Sequence, residues 1–110
     1  MKLHIDDIGG EVVKEDDRYI VKDNTTLNNL IVSSTELKPG CTTNGHKHIG
    51  QEEVYFFTHG YGEMYLDDVP QDVHAGDVVL IKDGVHHRVV AGNHLRGLSF
   101  ICVFDGIRRK

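Results

Sequence analysis

Tryptophan is absent from the 110-residue chain, and proline occurs only at Pro39 and Pro70. With so little proline there is no polyproline tract or stiff linker, and nothing in the chain reads as low-complexity sequence. Two cysteines, Cys41 and Cys102, are too few for a disulfide framework. Cys102 lies in the apolar stretch from Leu98 to Phe104, where a thiol acts as a small hydrophobe. Positive charge is also scarce, with 12 Lys and Arg against 17 Asp and Glu and a formal net charge of -5. The sole basic run, Arg108-Arg109-Lys110, reads as a solvated terminus and is too short to track a phosphate backbone, so no nucleic-acid partner is expected. No apolar run approaches the roughly 20 residues that span a bilayer, and no membrane association is expected. Acids at Asp6 and Asp7 stand where a secretory leader would be apolar. The expected location is cytoplasmic, with reduced thiols.

Glycine, by contrast, is plentiful at 12 residues, interleaved with short runs of Val, Ile, Tyr and Phe. That pattern predicts many turns between short strands, and no stretch carries a 3.6-residue apolar period. Strands are expected at Ile8–Val13, Tyr19–Val21, Leu30–Leu37 and Glu53–Phe57. Further strands are expected at Met64–Leu66, Val78–Ile81, His87–Val90 and Leu98–Phe104. Gly60-Tyr61-Gly62 reads as a turn, and Asp67-Asp68-Val69-Pro70 as the close of a strand. The fold class is all-β, a sandwich or barrel. One domain is expected, with 1–29 as N-terminal strands, a candidate dimer-forming segment, and 30–110 as the barrel.

Eight histidines are many for this length, and their spacing carries the information. His46 and His48 are two residues apart, so on an extended strand both point to one face. Glu53 returns to that face if Ile49-Gly50-Gln51 bends, and His87 would close the site from a distant strand. Three imidazoles and a carboxylate suit Mn, Fe, Co, Ni or Zn, and four protein ligands leave coordination positions open for substrate. The His-x-His pair alone is better read as two loop histidines facing water after Pro39-Gly40.

The glycines around the pair add a family pattern. Gly40, five residues, His46-Lys47-His48, four residues, Glu53, six residues and Gly60 together resemble the first sequence motif of the cupins. The gap to Gly60 selects Glu53 over Glu52. Gly76 through Lys82-Asp83-Gly84 to His87 and Ala91 is similar to the second motif, with Lys82 in place of its proline and Ala91 in place of its asparagine. Those departures concern the stiffness of the turn and leave the ligand positions intact. The resemblance runs from Gly40 to Ala91. It implies a double-stranded β-helix, or jelly-roll, barrel holding one divalent transition metal ion on His46, His48, Glu53 and His87. A homodimer built by strand exchange or sheet packing is also implied.

Alternation from Glu53 places Tyr55 and Phe57 on the ligand face, and Glu53 and Tyr55 are the candidate catalytic residues. Val85 and Val89 are expected inward, and His86 is expected to face away from His87; Ser33 and Thr35 alternate together and are read as solvent-facing strand positions, with hydrogen bonding to a substrate as the alternative. The expected function is a metalloenzyme acting on a small oxygenated molecule, with isomerase or epimerase chemistry on a sugar, sugar phosphate or sugar acid. Two alternatives share the site: an iron-dependent dioxygenase of a small organic substrate, and a binding module that holds a small molecule without turning it over.

Overall fold

The structure is a computed structural model that describes residues 1–47 and 49–106. Eight strands account for its regular structure: β1 Glu11–Glu15, β2 Tyr19–Asn24, β3 Leu30–Leu37, β4 Glu53–Leu66, β5 Val69–His74, β6 Val78–Ile81, β7 His87–Ala91 and β8 Leu98–Asp105. All pairings between them are antiparallel, and they run β1-β2-β3-β8-β4, with β5, β6 and β7 also paired to β4. Among the described residues no helix is long and apolar enough to cross a membrane.

Strict alternation drives the inner faces together. Ile31 and Leu37 on β3, Tyr55 and Phe57 on β4, Val89 and Ala91 on β7, and Leu98, Phe100, Cys102 and Phe104 on β8 are all buried and pack as one core. Met64 and Leu98 are fully enclosed. Burial of a side chain of this size stabilises by roughly 1.5–3 kcal/mol. The opposite parity faces outward, so that Phe56 and Leu80 remain 40% and 69% exposed.

β4 departs from the expected turn at Gly60-Tyr61-Gly62. The strand continues through those residues for 14 positions, with an irregularity between Phe57 and His59. Its first half lies between β8 and β6, and its second half between β5 and β7. The glycines serve close approach between strands. A Cβ on Gly60 would lie 1.9 Å from the Gly97 carbonyl oxygen, and one on Gly62 would lie 2.1 Å from that of Val90. The actual hairpin is the two-residue loop Asp67-Asp68, both at positive φ (49° and 64°), joining the paired residues Leu66 and Val69. This is the backbone a tight hairpin of right-twisted strands requires. Val69-Pro70 therefore opens β5 instead of closing the preceding strand. β5 lies at the end of the strand order, where a proline without an N–H is tolerated. At the other end of the chain, the first strand begins at Glu11, and Ile8 is a buried plug before it.

Candidate metal centre

The segment 41–47 lies antiparallel to β7 like an extra strand. Ala91 N–H donates to the Cys41 carbonyl, Thr43 N–H donates to the Val89 carbonyl at 2.9 Å, and His46 and His87 are bonded to each other in both directions at 3.1 and 2.9 Å. Thr43 Oγ1 accepts a further bond from Val89 N–H. This register makes His46 and His87 direct cross-strand neighbours whose side chains share a face, with ring centroids 4.6 Å apart. After them the chain turns at Ile49-Gly50, with Gly50 at φ 80°, and β4 begins with Glu53 on the inward parity. The bend expected at 49–51 is therefore present, held in part by Gly50 N–H on the Asp83 carboxylate at 2.7 Å.

His46, Glu53 and His87 each offer a ligand atom, all within 4.8 Å of one another. Glu53 and His87 are 4% and 2% exposed, and His87 Nε2 faces Glu53 Oε1 at 3.8 Å. Two metal bonds of about 2.1 Å span at most about 4.2 Å, so this pair stands within reach of a common ion and the widest pair needs only a small side-chain adjustment. His87 Nδ1 lies 3.0 Å from the Val85 carbonyl. A carbonyl only accepts, so Nδ1 carries the proton and the lone pair of the neutral ring resides on Nε2, toward the carboxylate. The donor set, two imidazoles and a buried carboxylate with one ring held by a backbone carbonyl, fits a divalent transition metal. His48 lies outside the described residues, as does the basic run at 108–110.

Beside the donors is a cavity of about 190 Å³, with His46, Glu53 and Tyr55 on one wall and Phe100, Cys102 and Phe104 along the floor. Tyr55 is stacked on Phe100 at 5.2 Å and meets the His87 ring edge-on at 5.8 Å. The structure thus brings Glu53 and Tyr55 to the same cavity. Phe57 and Val89 are buried, and Val85 packs against the core. Met64 is enclosed in that core. His86 lies to the side, its ring against Gly45, where a Cβ would come within 2.4 Å of it. His59 is on β4 and pairs at 2.6 Å with Asp6, whose carboxyl that bond holds below its usual range.

Ser33 and Thr35 overturn their expected position. They are 6% and 7% exposed and line the cavity. The signal was present in the sequence: Ser33 and Thr35 share parity with Ile31 and Leu37, which bracket them and are buried. Two more residues of the 1–47 region, Lys14 and Arg18, went unmarked. Lys14 lines the cavity from β1. Arg18 donates to Asn44 at 2.9 Å, tying the start of β2 to the segment that carries His46. Arg18 is itself clamped by Asp16 at 2.8 Å, a hydrogen bond that lowers the Asp16 carboxyl to about 2.

A barrel of antiparallel strands with two motif-borne histidines and a glutamate at its cavity defines a cupin. The cupin domain family model matches residues 33–104, and the chain belongs to that family. An uncharacterized protein of Methanocaldococcus jannaschii is 28% identical over 82 residues, 64% of this chain and 66% of that one, just under two thirds of its length. KdgF from a Halomonas species superposes with a TM-score of 0.75 over 86% of this chain and 84% of its own, at 16% identity. Bacillus subtilis oxalate decarboxylase gives a TM-score of 0.75 at 24% identity over 84% of this chain, which spans 26% of that longer protein. At these identities the superpositions speak for the fold.

Proposed function

We propose that the chain is a metal-dependent enzyme acting on a small oxygenated molecule, a sugar, sugar phosphate or sugar acid, by isomerase or epimerase chemistry. The observation that carries this reading is the convergence of His46, Glu53 and His87 on the edge of a cavity sized for a small molecule. With His48 completing the set, these residues would hold Mn, Fe, Co, Ni or Zn, and the ion would supply Lewis acidity to a substrate oxygen.

The chain's own residues provide the rest. Glu53, with Oε1 3.8 Å from His87 Nε2, is the group that takes a proton from a substrate carbon or hydroxyl and returns it. Val85, through the His87 Nδ1 hydrogen, fixes the tautomer that keeps Nε2 a ligand. The Tyr55 ring is held between Phe100 and His87, and its hydroxyl orients a substrate oxygen. Phe100, Phe104 and Cys102 keep water from one side of the cavity.

That apolar floor also supports a second reading, iron-dependent dioxygenation, since few polar groups there compete with substrate or oxygen. One experiment separates them. Untagged protein is assayed for bound metal, then loaded anaerobically with Mn or Fe and offered a panel of sugars and sugar acids, with oxygen uptake recorded. Interconversion of a substrate without oxygen uptake supports the isomerase. Uptake coupled to substrate loss supports the dioxygenase. A protein that retains less than about a tenth of an equivalent of any metal, and gains none on loading, sinks both.

A further inference from the structure

One wall of the cavity is chemically unlike the rest of the barrel interior. β3 sends Ser33 and Thr35 inward between Ile31 and Leu37, and both hydroxyls are on nearly buried residues that line the cavity. A hydroxyl in such a place costs free energy unless something bonds it, and Val would keep the shape of Thr35 without that cost. Lys14 stands opposite Val21 on β1, and Val21 stands beside Thr35, so the lysine continues the row of Thr35 out to the exposed strand at the sheet edge, where it still lines the cavity. Its ammonium lies 5.5 Å from the centre of the Tyr19 ring. Among the described residues lining the cavity, Lys14 is the sole lysine or arginine. The neighbouring Arg18 is occupied by Asp16 at 2.8 Å.

The wall lies on the same sheet as Glu53 and Tyr55, at a distance set by the strand spacing. Ser33 pairs with Cys102 and Cys102 with Tyr55, so two strand spacings of about 4.8 Å place Ser33 about 10 Å from Tyr55. At ~10–15 Å³ for each water-sized position, a cavity of about 190 Å³ holds on the order of a dozen non-hydrogen atoms. We propose that Lys14, Ser33 and Thr35 are the specificity wall for a small hydroxylated carboxylate. Its carboxylate is held by Lys14 and its middle hydroxyls by Ser33 and Thr35, while its far end reaches His46, Glu53 and His87. The inference rests on the reading given under Proposed function and narrows its substrate class. A carboxylate is favoured over a phosphate because one ammonium matches one negative charge. A phosphate dianion calls for a guanidinium fork or a cradle of backbone N–H groups.

The test uses calorimetric titration of the manganese-treated full chain with three probes: D-gluconate, sorbitol, which lacks the carboxylate, and hexanoate, which lacks the hydroxyls. Wild-type protein is expected to bind gluconate at least tenfold more tightly than either. Lys14→Gln is expected to weaken gluconate about tenfold and leave sorbitol unchanged. The Ser33→Ala, Thr35→Val double variant is expected to weaken gluconate and leave hexanoate unchanged; thermal melts check that both variants fold, and Lys14→Gln alone decides if the double variant does not. Wild-type protein that binds the three probes equally, or none of them at millimolar concentration, overturns the proposal, as do folded variants that keep the wild-type preference. Manganese content measured on the same samples separates the two readings. Protein that prefers gluconate while holding neither manganese nor any other transition metal refutes the metal reading and supports this wall.

Discussion

Replacing Glu53 by Gln removes one charge and almost no volume, so its consequence for metal binding can be worked out before the experiment. Glu53 is 4% exposed and 3.8 Å from His87 Nε2, and the amide fits the same space. A ligand that binds only the folded state at a hundred times its dissociation constant stabilises it by about 2.7 kcal/mol. For a domain near this size, 1 kcal/mol moves the melting midpoint by about 4 °C. Wild-type protein stripped with chelator should therefore gain about 11 °C at that manganese concentration. Loss of polar groups that merely support metal ligands lowers affinity by 10–100-fold, so loss of an anionic donor should lower it by about 100-fold or more. At the same manganese concentration the linkage then falls to about 0.4 kcal/mol, a gain of about 2 °C. In chelator the variant should melt at or above the wild-type temperature, because a desolvated charge has gone. Circular dichroism melts with and without manganese read all four midpoints. A Glu53→Gln protein that keeps the full manganese shift would show that this carboxylate is not a ligand.

His48→Ala should hold far less manganese per chain by mass spectrometry, whereas His86→Ala, altering a ring that lies against Gly45, should load fully. A loss at His86 as large as that in His87→Ala would mean that β7 presents the wrong histidine. Gly62→Ala should destabilise by about 1–3 kcal/mol in urea, because its Cβ meets the Val90 carbonyl oxygen at 2.1 Å; an unchanged midpoint would contradict the close strand approach. The Asp16 carboxyl is lowered to about 2, chiefly by its hydrogen bond from Arg18. A depressed folded-state pKa contributes stability above the ordinary value near 4, lost as pH falls through about 2. Asp16→Asn should therefore flatten the stability curve between pH 4 and pH 2, and coincident urea curves would refute the assignment.

The grouping of His46, Glu53 and His87 was legible because motif spacing encodes it, and alternation from Glu53 and His87 then placed Tyr55, Phe57 and Val89 on the buried face. The same rule went wrong at Ser33 and Thr35, where polarity was allowed to outweigh the parity of Ile31 and Leu37. A barrel interior that receives a polar ligand violates the apolar-in, polar-out pattern at its site, which is where sequence reasoning is expected to fail. Gly60 and Gly62 were read as a turn because glycine marks turns and close approaches alike. The second meaning depends on Gly97 and Val90, far along the chain, and no local pattern announces them. Lys14 escaped for a similar reason: its place on the cavity follows from the pairing of β1 with β2, which residues 11–24 do not state on their own.

The long strand that replaces the expected turn has a mechanical consequence. β4 carries Glu53 at one end and, near the other, pairs Leu66 with His87. The carboxylate rides on β4 itself and the imidazole on β7, which is hydrogen-bonded to the far half of that same strand, beyond the irregularity between Phe57 and His59. β7 in turn carries the segment of His46, bonded to His87 in both directions, so all three residues are tied through backbone hydrogen bonds to the two halves of one strand.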